Sequence, residues 1–236
     1  MHRIFVKTQN VKNFVSLMNS LQNKPEGVCK MALVYGDPGL GKSRTSLWWA
    51  VKNDAVYVRG ANTMSCKWLL QELVDELGEV PFYRTSDLFK QCVNQLKENP
   101  RTIIVDEIDY LLTDTRAIET LRDIHDRTDV PIVFVGMGQA DKKLMRYRHL
   151  YDRISHRLFF EHFSCRDVQH IVNQLSEIEM TECAVNHIFS QANRLRQIIM
   201  YIDMAENICR TNGLNIIDGK TLKEFAGNEA KIVKIS

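Results

Sequence analysis

The sequence predicts a parallel α/β domain followed by a small all-helical one. Three observations carry that expectation. Short apolar runs alternate with segments of helical periodicity up to about residue 162, and every later periodic segment is helical. A complete G-x-x-x-x-G-K-[ST] motif, GDPGLGKS (36–43), stands between the first expected strand and the helix after it. A later apolar run, TIIVD (102–106), ends in acid, at the end of a strand where parallel sheets bind ligands.

The elements follow in order. Asn10 is placed to cap a helix whose apolar positions Val11, Phe14, Val15, Met18 and Leu21 recur at helical spacing. Lys24-Pro25-Glu26-Gly27 breaks the chain, and MALVY (31–35) is a short buried strand ending at Gly36. A helix is expected from Lys42 to about Asn53, then a strand AVYV (55–58). Ser65 opens a helix stopped by Gly78, and Ser86 opens another ended by Pro100. The strands TIIVD and PIVFVG (131–136) flank a helix over about 115–127, and RLFFEHF (157–163) is read as the fifth strand. Helices are expected at 164–176, 181–192, 193–210 and 219–226. The division is thus 1–162 for the α/β domain and 163–236 for the helical one.

Composition narrows the class. A chain of 236 residues holds one large domain, or one with a small appendage. With 44% hydrophobic and 25% charged residues it is not a disordered or collagen-like chain. Lys and Arg (31) barely exceed Asp and Glu (29), so no blanket of positive charge exists; the excess is local. Residues 141–157 carry a net +4 and the remainder −2. The six cysteines form no CxxC pair, which excludes the common zinc-ribbon and thioredoxin spacings. With no secretory signal, they are expected to be reduced thiols of a cytoplasmic protein. No stretch approaches the apolar length of a membrane span.

The glycine-rich motif has a direct chemical reading. Gly36, Gly39 and Gly41 let the backbone of Gly36, Asp37, Pro38, Gly39, Leu40, Gly41, Lys42, Ser43 and Arg44 curl so that its N–H groups face phosphates. Lys42 supplies a point charge for the β/γ oxygens, and the Ser43 hydroxyl is a ligand for Mg²⁺. Asp106 would hold the same Mg²⁺ through its water shell, and Glu107 would orient and activate the attacking water. The cofactors expected are therefore ATP and Mg²⁺. A strand between the two motifs, together with Glu107, indicates the additional-strand class of P-loop NTPases.

Four stretches resemble the AAA+ ATPases, and within them the transposition ATPases of Mu-like phages and their relatives (phage Mu transposition protein B, TnsC, TniB). These are FVKTQNVKNF near the start, GDPGLGKS, VDEIDYL, and above all AIETLRDIHDRTDVPIVFVGMG (117–138). The resemblance implies a five-stranded parallel sheet with helices on both faces and a helical lid. It implies ATP-dependent, non-sequence-specific assembly on double-stranded DNA as a ring or helical filament, and delivery of target DNA to a DDE transposase. It further implies an adenine pocket with Val6, Thr8 and Val11 as candidates. An arginine acting on a neighbour's nucleotide is implied in YDRISHRLFF, where Arg157 matches best and Arg153 second. The second sensor falls on Arg196 or Arg194 at the opening of the lid helix. The first sensor departs from the family pattern: GMGQ (136–139) leaves Gln139 as its sole polar group, so either Gln139 performs the role from one or two residues on, or hydrolysis is slow.

DNA contacts are expected from loops after the second and third strands, namely Lys67 with Thr63 and Ser65, and Arg116 with Thr113 and Thr115. Trp48 and Trp49 read as core packing rather than base stacking, and the seven histidines have no metal-binding spacing. A replication initiator or helicase loader is the alternative function. A nucleotide-switched interaction protein that needs no DNA is a third.

Overall fold

The computed structural model describes residues 1, 2 and 4–224, except the side chain of Thr115. Its contacts divide the chain into two compact units: Asn13–Phe160, and Met1–Lys12 with the chain from Glu161 onward. The last part of the helix expected over 219–226 lies outside the described residues; 219–224 is helical.

The larger unit contains most of α1 (Gln9–Gln22), then β1 (Met31–Gly36), α2 (Lys42–Lys52), β2 (Val56–Arg59), α3 (Cys66–Glu76) and α4 (Thr85–Glu98). β3 (Ile103–Asp106), α5 (Ile108–Leu111), α6 (Thr115–Thr128), β4 (Ile132–Met137), α7 (Ala140–Leu144), α8 (Arg148–Tyr151) and β5 (Ile154–Phe160) complete it. The five strands form one sheet in the order β2-β3-β4-β1-β5, and every pairing is parallel. Its central strands are apolar and buried along their length, as a parallel sheet covered on both faces requires. Met31, Leu33, Val56, Ile103, Val105 and Phe134 pack with α3, α4 and α6. Against α1, Trp49 of α2 meets the Phe14 ring edge-on at 6.5 Å, so Trp49 is core as its helical position predicts.

Several local expectations shift. The fifth strand runs Ile154–Phe160, not 157–163, because Ile154 and Phe160 are the buried ends that pair beside β1. α4 opens at Thr85 after Arg84, and Ser86 bonds the neighbouring Asp87 carboxylate instead of capping. Asn10 lies within α1; its side chain exchanges two hydrogen bonds with the Glu161 backbone, at 2.8 and 3.1 Å. α5, α7 and α8, of four or five residues each, have too few turns to show a helical period.

The smaller unit holds α9 (Cys165–Leu175), β6 (Glu179–Met180), α10 (Glu182–Gln191), α11 (Leu195–Asn212) and β7 (Ile216–Ile217). Ser164 and Asp167 form a reciprocal capping box that fixes the start of α9. β6 and β7 pair in parallel, so the region is helical apart from this two-residue ladder. Among the described residues no helix is long and apolar enough to cross a membrane, and all six cysteines are free thiols.

Candidate nucleotide site

The loop after β1 is shaped by three glycines with positive φ: Gly36 at 152°, Gly39 at 86° and Gly41 at 89°. At Gly36 a Cβ would also stand 2.7 Å from the Phe160 carbonyl oxygen, so the position excludes any side chain. Buried Leu40 anchors the loop while Asp37, Pro38, Gly39, Ser43 and Arg44 are exposed. Gly41 caps α2, whose first N–H groups have no partner within the helix, the arrangement that suits an anion.

The Lys42 ammonium curls back over this loop, donating to Gly36 O at 2.7 Å and Asp37 O at 2.8 Å. Burial lowers its pKa, and the nearby carboxylates of Asp106, Asp37 and Asp109 oppose that effect. The lysine is therefore within the field of the acids that end β3, although β4 lies between β1 and β3 in the sheet.

Asp106, buried at the end of β3, is oriented from two sides. Tyr57 of β2 donates its hydroxyl to Oδ2 at 2.6 Å, and the Glu107 N–H donates to Oδ1 at 2.8 Å. Burial and this bond push the Tyr57 pKa up. Glu107 adopts a left-handed backbone conformation, φ 52°, uncommon for a side chain of this size. Its carboxylate pairs with Arg59 at the end of β2. The turn fits only because residue 60 is glycine: a Cβ there would stand 2.7 Å from Glu107 O.

The chain after β4 closes the same corner. A Cβ on Gly138 would lie 3.1 Å from Asp37 Oδ1, so this turn abuts the phosphate loop, and Gln139 follows it at the start of α7. Asp109 joins the two: its Oδ2 accepts from Met137 N at 2.6 Å and its Oδ1 from Lys143 at 3.0 Å.

Residues 26–144 match the profile described as an AAA domain. The chain belongs to the AAA-domain family of P-loop ATPases. A Staphylococcus aureus protein described as a potential ATP-binding protein is 27% identical, over 71% of each chain. The Aeropyrum pernix ORC2 structure with ADPNP and ADP superposes with a TM-score of 0.71 at 16% identity, covering 94% of this chain and 67% of that one. The Aeropyrum pernix ORC1 structure in complex with DNA gives 0.67 at 12% identity, covering 96% and 66%. This chain thus spans about two thirds of those two proteins, and at such identities the likeness is one of fold.

The other expected residues of the AAA-domain chain are distributed as follows. Arg153 is the last residue before β5 and pairs with Asp126 of α6 at 2.7 Å. Arg157 lies inside β5, stacked on the Tyr151 ring at 4.6 Å and 4.0 Å from Asp141. Both are on or beside an edge strand. Val6, Thr8 and Val11 belong to the smaller unit, where Thr8 and Val11 are buried. Arg194 and Arg196 are exposed there at the start of α11, where Gln197 caps the backbone N–H of Arg194 at 3.2 Å.

Of the expected DNA contacts, Ser65 serves as the cap of α3, accepting from Trp68 N, while Thr63 is exposed. Lys67 lies 4.3 Å over the Tyr83 ring and Arg116 pairs with Asp114 at 3.2 Å. The helices that follow the two loops meet, Cys66 Sγ of α3 lying 3.1 Å from Thr120 Oγ1 of α6. Thr113 donates to Tyr110 O, and the Thr115 side chain lies outside the described residues.

Sequence reasoning missed Tyr57, Arg59 and Asp109. Asp109 stands inside the quoted VDEIDYL motif. Tyr57 and Arg59 pair in register with Ile104 and Asp106 of β3, a neighbourhood that only the strand pairing reveals.

Proposed function

We propose that this chain is an ATP-dependent, non-sequence-specific duplex-DNA-binding ATPase that assembles head to tail on target DNA and delivers it to a DDE transposase. The observation that carries the nucleotide half is the convergence of Lys42 and Asp106 at the carboxyl ends of β1 and β3, with Glu107 the next residue after Asp106. The phosphate loop binds the triphosphate through its N–H groups and Lys42. Ser43 and Asp106 offer hard oxygen donors of the kind Mg²⁺ takes, and each Asp106 oxygen keeps a lone pair beyond its bond to Tyr57 or Glu107 N. Bound there, Mg²⁺ would neutralise charge on the phosphate oxygens.

Glu107 orients the attacking water and accepts its proton once released from Arg59. Gln139 takes the first-sensor role, and Arg196 or Arg194 the second. Val6, Thr8 and Val11 contribute to the adenine pocket. An arginine of the neighbouring subunit, Arg157 or Arg153, stabilises transition-state charge. Lys67, Thr63, Arg116 and Thr115 address DNA phosphates. The transposition half is supported by the resemblance of 117–138, which forms α6 and β4.

Sedimentation with duplex DNA tests the reading. Co-pelleting with an ATP analogue, absent with ADP and indifferent to base sequence, is expected. A strictly monomeric, DNA-blind protein would end it. A replication initiator or helicase loader is the second reading, favoured by the fold likeness to the two ORC proteins. Sequence-selective footprinting would decide for it.

A further inference from the structure

α7 and the segment after β3 border a cleft of about 390 Å³ in which, of the expected site residues, only Thr113 and Gln139 take part. Buried Leu112 and half-buried Tyr147 form its floor, with the Tyr147 hydroxyl donating to Leu112 O. Exposed Thr113, Gln139, Lys142 and Arg146 form its rim. The acid in the wall, Asp109, is already committed to Lys143 and Met137 N. Among the described residues no carboxylate pairs with Lys142 or Arg146.

We infer that this cleft is a phosphate site for the duplex DNA backbone, an inference that rests on the DNA-binding reading above. Two unpaired cations four residues apart, Lys142 on α7 and Arg146 in the turn after it, suit phosphodiester oxygens and carry no base code. The residues outside 141–157 sum to −2, so the net attraction for a polyanion comes from this stretch. A phosphate here also competes with Asp109 for Lys143. DNA occupancy thereby reaches the short helix directly after Glu107.

Fluorescence anisotropy with a duplex and an ATP analogue across a salt series is the test. Each phosphate contact contributes about 0.9 to the slope of log affinity against log salt. Lys142→Ala with Arg146→Ala is expected to make the slope shallower by about 1.8 and to weaken binding about ten-fold at low salt. The charge-preserving exchange, Lys142→Arg with Arg146→Lys, restores both. Wild-type binding with an unchanged slope in the alanine protein overturns the cleft and leaves the DNA-binding reading standing; no wild-type binding under any nucleotide condition overturns both. A second arm titrates tripolyphosphate into Lys42→Ala protein, where the phosphate loop is disabled. Saturable uptake that needs Lys142 and Arg146, with the duplex slope unchanged, would make a free polyphosphate the ligand and overturn the DNA assignment.

Discussion

Glu107 is held away from its proposed task by an exposed partner. Arg59 is two-thirds solvent-accessible, so the pair contributes at most about 1 kcal/mol and is easily opened. Arg59→Ala is therefore expected to raise basal ATP turnover several-fold with nucleotide affinity unchanged, whereas Glu107→Gln abolishes turnover and keeps binding. A phosphate-release assay with parallel nucleotide titrations checks both. Tyr57→Phe should act differently, because it strips a donor from a buried carboxylate. A hydrogen bond to a charged group is worth about 1.5–3 kcal/mol, so loss of thermal stability and a higher Mg²⁺ requirement are expected together. His156 supplies the pH dependence at this scale. Burial, and then the charge of Lys24 3.3 Å away, hold its pKa below the usual 6.5, with Ser155 on the same ring nitrogen. As pH falls through about 6.5 the unfolded chain takes up a proton that the folded one resists, so stability drops. Urea unfolding at pH 7.5 and 5.5 should show a smaller acid loss in His156→Gln than in wild type.

Elements were legible in the sequence where they are long and periodic, or where chemistry fixes a residue type. The glycine-rich loop and the acid-terminated strand belong to the second kind, since the proposed phosphate cradle leaves few alternatives at Gly36, Gly41 and Lys42, and the proposed Mg²⁺ contact few at Asp106. Placement across the sheet was not legible. Nothing local in AVYV or in Arg59 says that β2 is the neighbour of β3, and that adjacency aims Tyr57 at Asp106 and Arg59 at Glu107. Close approach between elements is equally non-local, and Gly136 illustrates it. A Cβ there would meet Ala140 Cβ at 2.5 Å, Ile108 Cγ2 at 2.9 Å and Asp109 Oδ2 at 3.0 Å. Gly136→Ala is expected to push α5 and α7 off the end of β4 and cost about 1–3 kcal/mol, as overpacking of a close contact does. Because α5 directly follows Glu107, turnover should fall further than nucleotide affinity. Thermal melts, with kcat compared against nucleotide Kd, decide it; equal losses in both would show mere unfolding.

At the scale of the molecule, both candidate interface arginines sit at one edge of the sheet, on or beside β5, whereas the proposed hydrolytic acids lie at the end of β3, second from the opposite edge. A contact that brings one subunit's arginine to the next subunit's nucleotide joins two different surfaces, so it is heterologous and repeats into a ring or an open helix. The start of β5 bears on which arginine acts. Arg153 immediately precedes the strand, while Arg157 is within it, stacked on Tyr151. Mixing subunits separates the two. Glu107→Gln protein keeps its arginines but has a dead site, and an arginine→alanine protein keeps a live site but cannot serve its neighbour. In a random equal mixture about a quarter of the interfaces combine a live site with an intact arginine from the next subunit. Turnover at about that fraction of wild type is therefore expected, from two proteins each inactive alone, when the alanine stands at the acting arginine. An alanine protein that hydrolyses ATP normally by itself shows that its arginine is not the acting one. An alanine protein that is inactive alone and not rescued by mixing shows that its arginine works within its own subunit. If neither Arg153→Ala nor Arg157→Ala is rescued, hydrolysis does not need a neighbour's arginine, and head-to-tail assembly must be explained by DNA alone.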